Sequence, residues 1–187
     1  MRNAFVILVI FIAALAHAQS NDVALTGGGY FAVGNPLNLG AAWALEGTAA
    51  HKVFGVPLAS IAVELPVAGS FGSSVPTLNG TSLSRSYTSL FITPGLRLRV
   101  APSFPISPYV SVGVGYGRFR HQLFNGSTSV NHTAAFDIGG GLDWKVLPFV
   151  SVRGEIRDFN SGNIGLTTFA TGRQNNLFTT VGLALRF

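Results

Sequence analysis

Apolar and polar positions alternate along most of this chain, most regularly at its end. From Leu177 to Phe187 the odd positions are Leu, Thr, Val, Leu, Leu and Phe, and the even positions after Phe178 are Thr, Gly, Ala and Arg. Successive side chains of a strand point to opposite faces, so this stretch predicts a strand with one apolar and one small or charged face. Seven further segments follow the same rule: Val23–Gly34, Leu39–Val53, Leu58–Val67, Tyr87–Val100, Tyr109–Arg120, Thr133–Val146 and Phe149–Phe159. Turn chemistry separates them, such as Asn35-Pro36, Ala101-Pro102, Asn125-Gly126 and Leu147-Pro148. The links near Pro57, Pro102 and Pro148 are short, whereas those over 68–86, 121–132 and 160–174 are long and polar. The link near Asn35 is short and breaks this trend.

The phase of the charges decides which way such a sheet faces. In the sixth segment Ala134, Phe136, Ile138, Leu142, Trp144 and Val146 oppose Asp137, Asp143 and Lys145. In the seventh, Val150, Val152 and Ile156 oppose Arg153, Glu155 and Arg157; in the fourth, Leu90, Ile92, Leu96 and Leu98 oppose Arg97 and Arg99. Glu46 and Glu64 lie opposite Trp43 and Leu45, and opposite Ile61, Val63 and Leu65. Mid-strand charges are few, carry both signs and share one face. A charge facing lipid at mid-bilayer costs roughly 2–4 kcal/mol. The pattern therefore predicts apolar faces on lipid and charges in a lumen. The expected fold is all-β: an eight-stranded antiparallel up-and-down transmembrane β-barrel. An even strand count puts both termini on the side of the short turns, the periplasmic side.

Eight strands leave an interior just wide enough for side chains to fill. Glu46, Glu64, Asp137, Asp143 and Glu155 are expected to pair there with Arg97, Arg99, Lys145, Arg153, Arg157 and Arg186, plugging the lumen. Gly113, Gly115, Gly117, Gly139 and Gly141 would make room for arginine heads. Pro66 and Pro94 cannot donate to a ladder, so a bulge or strand end is expected at each. The Gly113-x-Gly115-x-Gly117 spacing is not a phosphate loop, because its period is two and no helical pattern follows.

Composition narrows the class. The chain has 187 residues, 10% charged, 48% hydrophobic, with 23 Gly and no Cys. Charge is far below the roughly 25% of ordinary soluble domains. Residues 1–18 read as a cleavable signal peptide: Arg2, an apolar stretch from Ala4 to Ala16, and an Ala16-His17-Ala18 cleavage site. The barrel domain would then occupy 19–187. Loss of Arg2 lowers the formal charge from +5 to about +4. The basic residues are scattered, which disfavours nucleic acid. Without Cys, disulfides and thiolate zinc sites are excluded.

With the signal peptide, the terminal Phe187 preceded by Val181, Leu183 and Leu185 resembles the assembly signal that closes bacterial outer-membrane barrels. Pro108-Tyr109-Val110-Ser111-Val112-Gly113-Val114-Gly115-Tyr116-Gly117-Arg118-Phe119 resembles the glycine-and-aromatic strand of the OmpA-like and related small outer-membrane β-barrels. The resemblance implies insertion by the outer-membrane assembly machinery of a Gram-negative-type bacterium. It also implies contact with outer-membrane lipids and lipopolysaccharide. Unlike full OmpA-type proteins, the chain is not expected to anchor to the cell wall through a peptidoglycan-binding domain.

Candidate chemistry is sparse. His121 and His132 flank the second long link, over 121–132, and with Ser127, Ser129 and Asp158 a Ser–His–acid arrangement can be drawn. Solvated loop histidines are the stronger reading, and no metal-ligand spacing occurs. Arg118 and Arg120, on the apolar phase at the outer end of the fifth segment, suit lipid headgroup contact. Trp43, Trp144 and Tyr116 suit an aromatic girdle. The leading expectation is a monomeric, non-enzymatic outer-membrane barrel, without cofactor, in a structural or surface-interaction role. Alternatives are a narrow channel for small solutes, a lipid-modifying enzyme, and a soluble exported β-protein.

Overall fold

The computed structural model describes residues 20–33, 41–73, 77–78, 81–82, 86–122, 128–162 and 173–187. The expected signal peptide lies outside these residues, as does Ser127. The described strands are β1 (Asn21–Val33), β2 (Ala42–Val56), β3 (Ala59–Ser73), β4 (Thr77–Leu78), β5 (Thr81–Ser82), β6 (Ser86–Ile92), β7 (Gly95–Val100), β8 (Ile106–Gln122), β9 (Thr128–Leu147), β10 (Val150–Ser161) and β11 (Gln174–Arg186). β4 and β5 pair only with each other, in the link between β3 and β6. The remainder close on themselves: β1 pairs with β2 on one side and β11 on the other, and all pairings are antiparallel.

β6 and β7 act as one barrel strand, so the barrel has eight. β3 pairs Glu64 with Gly95 and Val67 with Ile92, and β8 pairs Gly113 with Gly95 and Tyr116 with Ile92. Register therefore runs unbroken across the Thr93-Pro94 interruption. Two bonds bridge it: the Thr93 amide donates to the Pro66 carbonyl at 3.4 Å, and the Val114 amide to the Pro94 carbonyl at 3.1 Å. The expected strand end at Pro94 is present. At Pro66 the strand continues without a bulge, because its missing N–H faces the level at which the neighbouring ladder is already interrupted.

The two largest boundary differences from the sequence expectation lie at long links. β3 runs six residues past Val67, with a register shift between Ser70 and Ser73, where Gly72 has φ +78°. That conformation suits glycine. The long link expected over 121–132 is shorter, since β8 and β9 pair as far as Gln122 with Thr128. The ends of these strands are polar on both faces, so alternation gives no strand signal there.

The barrel is inverted relative to a soluble fold. Trp43 is 77% exposed and Val114 65%, whereas Arg153, Arg157 and Asp137 are 0% exposed. A continuous apolar exterior of this kind requires an apolar surrounding. Outward residues of β8 from Ile106 to Tyr116 cover about 33 Å of strand, or about 25 Å of height at a tilt of roughly 40°. That matches the apolar band of an outer-membrane barrel. Exposed Phe31, Trp43, Phe71 and Tyr116 ring the loop end, and Phe54, Phe104, Trp144, Phe149 and Phe187 ring the turn end.

Candidate functional site

The lumen gathers most of the chain's charge, because every strand turns its polar phase inward. Arginines and two carboxylates form a layer at the turn end. Asp143 accepts from Arg153 Nε at 2.7 Å, from Arg99 Nη2 at 2.8 Å and from Arg186 Nη2 at 2.7 Å. Asp22 accepts from Arg153 Nη2 at 2.9 Å and Arg99 Nη2 at 2.9 Å, and from Arg97 Nη1 at 3.3 Å. Arg186 Nε stands 3.4 Å from Asp22 as well.

A second layer lies at mid-height around Arg157. Its guanidinium contacts Asp137 at 2.6 Å, Glu155 at 2.5 Å, Glu64 at 2.9 Å and Glu46 at 3.2 Å. Arg97 joins the layers, with Nε 2.6 Å from Glu64. Tyr109 is wedged between them. Its hydroxyl donates to Glu155 Oε2 at 2.7 Å, and Arg97 and Arg153 pack on its ring. In a low-dielectric interior each charge needs such partners to be tolerable.

Towards the loop end the lumen becomes aromatic. Phe91 stacks on Phe159 at 4.7 Å between centroids and meets Phe119 and Phe178 edge-on at 5.5 and 5.9 Å. Tyr30 packs edge-on to Phe178 at 5.3 Å, and Tyr87 stacks on Phe119 at 5.9 Å. Asn176 caps the cluster. It accepts from Tyr30 Oη at 2.8 Å and donates to the Phe159 carbonyl at 2.8 Å.

The structure thus brings together Glu46, Glu64, Arg97, Arg99, Asp137, Asp143, Arg153, Glu155, Arg157 and Arg186. Lys145 is half-buried at the turn-end mouth and joins no ion pair among the described residues. Sequence reading missed Asp22, Tyr109 and the aromatic layer. Asp22 shares the inward phase of Ala24 and Thr26, but it precedes the first residue assigned to a strand. Phe91, Phe119, Phe159 and Phe178 also lie on the polar phase and are buried in the lumen, and alternation alone carries no signal for apolar rings on that face.

The glycines serve several purposes. Of the five expected to make room, only Gly139 would crowd an arginine with a Cβ, lying 3.2 Å from Arg157 Cγ. At Gly141 it would meet the Tyr109 ring, at Gly117 the Phe91 ring, at Gly113 Asp137 and the Thr93 carbonyl, and at Gly115 the Ile92 carbonyl. Room is made mainly for rings and for close backbone approach.

The rim residues fall elsewhere. Val181, Leu183, Leu185 and Phe187 point outward along the turn-end half of β11, and Arg118 and Arg120 point outward near the loop end of β8. His132 Nδ1 is hydrogen-bonded to the Tyr116 hydroxyl. Asp158 pairs in register with Ile138, six residues along β9 from His132, about 20 Å away at ~3.3 Å per residue. These two do not form the His–acid half of a triad. The side chains of His121 and Ser129 are outside the described set. Among the described residues no three His, Cys, Asp or Glu side chains gather as a metal site.

No family model matches this chain, and no curated protein matches it. Solved structures do match in fold. Neisserial surface protein A aligns at 15% identity over 90% of this chain and 97% of its own, with a TM-score of 0.66. A major outer membrane protein from Thermus thermophilus aligns at 16% identity over 89% and 98%, with a TM-score of 0.57. OprG, an outer membrane protein from Pseudomonas aeruginosa, aligns at 11% identity over 91% and 99%, with a TM-score of 0.55. The chain has the fold of these bacterial outer-membrane barrels: a closed, eight-stranded antiparallel β-barrel whose lumen is packed with side chains.

Proposed function

We propose that this chain is an integral outer-membrane protein with a structural or surface-interaction role, its lumen closed to solutes. The observation that carries this reading is the filling of the barrel. Arg97, Arg153 and Arg157 and the rings of Phe91, Phe119, Phe159 and Phe178 are buried across the lumen in successive layers. A solute crossing there would have to displace paired charges and packed aromatics. The apolar exterior and double aromatic girdle support membrane insertion, and the outward apolar stripe of β11 ending at Phe187 supports recognition by the barrel assembly machinery. Arg118 and Arg120, at the level where the apolar belt ends, support contact with phosphate-bearing lipids, including lipopolysaccharide. Two proteins of similar fold carry surface roles in their names, Neisserial surface protein A and the attachment invasion locus protein of Yersinia pestis. The test is planar-bilayer recording of the refolded protein, after its heat-dependent mobility in SDS has verified the barrel. The expected result is no sustained current. Uniform, lasting conductance steps from heat-modifiable protein would replace this reading with the narrow-channel alternative.

A further inference from the structure

We propose that the turn end of the lumen is a binding site for a phosphate-type oxyanion. A cavity of about 480 Å³ opens there between the β2–β3 and β7–β8 turns. Its lining includes Lys52, Arg97, Arg99, Lys145 and Arg186, against a single carboxylate, Asp22. That carboxylate is already shared by four guanidiniums, those of Arg97, Arg99, Arg153 and Arg186. Its neighbour Asp143 is shared by three of the same set.

Donors and acceptors are segregated along the barrel axis. Arg97 Nη2 and Arg99 Nε are buried without an acceptor among the described residues, and both side chains line the cavity. The Arg97 side chain is 1% exposed. Of the carboxylate oxygens without a donor, Glu46 Oε2 and Asp137 Oδ2 belong to the mid-height layer around Arg157, and none of the carboxylates concerned lines the cavity among the described residues. Carboxylates are in excess there, and cations are in excess at the mouth. Lys52 and Lys145 add charge to the mouth and enter no ion pair among the described residues.

Converging guanidinium forks in a concave, partly desolvated site are chemistry for a multivalent oxyanion. The volume lies within the range of small-ligand sites, enough for a diphosphate or for the phosphate head of a lipid. The occupant is a free phosphate compound or a lipid headgroup from the leaflet at this end of the barrel.

Heat-modifiable, refolded protein in uncharged detergent would be titrated calorimetrically with inorganic pyrophosphate and, separately, with short-chain phosphatidic acid. Saturable binding of either is expected, weakened about tenfold or more in the Lys52→Gln/Lys145→Gln double variant, since one charge-assisted contact is worth roughly a factor of ten. Tighter binding of phosphatidic acid than of pyrophosphate assigns the site to a lipid. The reverse order assigns it to a free phosphate compound. The idea is overturned if neither probe binds, or if the double variant binds as tightly as the wild type. Should the double variant lose its heat-dependent shift, Lys145→Gln alone carries the same test. The inference needs the barrel but not a closed lumen, and the heat shift reports the barrel independently.

Discussion

The Tyr109 hydroxyl donates to Glu155 Oε2 at 2.7 Å, while the Arg97 and Arg153 guanidinium carbons stand 4.5 and 5.1 Å from the centre of the same ring. One side chain thereby satisfies a carboxylate with its tip and two cations with its face. Tyr109→Phe keeps the ring and removes only the donor, leaving a buried carboxylate oxygen without it. The expected loss is about 1–3 kcal/mol, read as a lower urea midpoint of the barrel folded in lipid vesicles. Tyr109→Leu also removes the cation–ring contacts and should cost about 1 kcal/mol more. An equal midpoint for Phe and Tyr would show that the hydrogen bond contributes nothing net.

Asp22 is the counter-ion whose removal should hurt most at the turn end. Asp22→Asn leaves Arg97, Arg99, Arg153 and Arg186 sharing one negative charge fewer in a buried site. Breaking a buried ion pair on one side costs about 3–5 kcal/mol. Adding Arg99→Gln to that variant removes one of the stranded cations and should restore part of the loss. Lys145→Gln, which breaks no ion pair among the described residues, should move the midpoint by less than about 0.5 kcal/mol. The same vesicle-based unfolding series decides all three.

What the sequence made legible was set by period. Alternation along β9, β10 and β11 fixes which residues face lipid and which face the lumen, since a one-residue slip would reverse every side chain. That is why the sequence alone places Asp137, Asp143, Arg153, Glu155 and Arg157 on one face. The same rule says nothing of height or partner. It could not show that Arg157 meets four carboxylates while Asp22 serves four arginines, because those partners come from different strands and their levels depend on the barrel's stagger. Nor does binary patterning distinguish a lumen ring from a misplaced apolar residue, so Phe91, Phe119 and Phe159 went unrecognised. An interruption is legible at Pro66 and at Pro94 separately, but one dimension does not show that the two meet across the same ladder, which is why the strand continues through Pro66.

The aromatic and charged layers are expected to close the lumen independently. Phe91→Ala removes the ring at the centre of the loop-end cluster, which meets Phe119, Phe159 and Phe178. The expected cost is about 3–5 kcal/mol. Planar-bilayer recording should nevertheless show no new current, because the layer around Arg157 still spans the lumen beneath it. Steady conductance in Phe91→Ala would mean that the aromatic layer alone seals the barrel.

Closure of the barrel depends on two backbones approaching where the first and last strands meet. Gly182 pairs with Thr26 across the β1–β11 seam, and a Cβ there would fall 2.1 Å from the Leu25 carbonyl oxygen and 2.6 Å from Thr26 Cα. Gly28 faces the same seam from the other strand, where a Cβ would lie 2.0 Å from the Thr179 carbonyl oxygen. Backbone cannot rotate aside as a flexible side chain can, so even one methyl forces the strands apart. Overpacking of this kind costs about 1–3 kcal/mol in a core that can adjust, and a hydrogen-bonded seam adjusts less. Gly182→Ala should therefore lower the unfolding midpoint and reduce the fraction of refolded protein that resists SDS. Gly154→Ala is the control, since a Cβ at that outward position on β10 meets nothing within 4 Å. It should refold as the wild type does. Equal yields of the SDS-resistant form from the two variants would show that the seam has slack that the backbone spacing does not suggest.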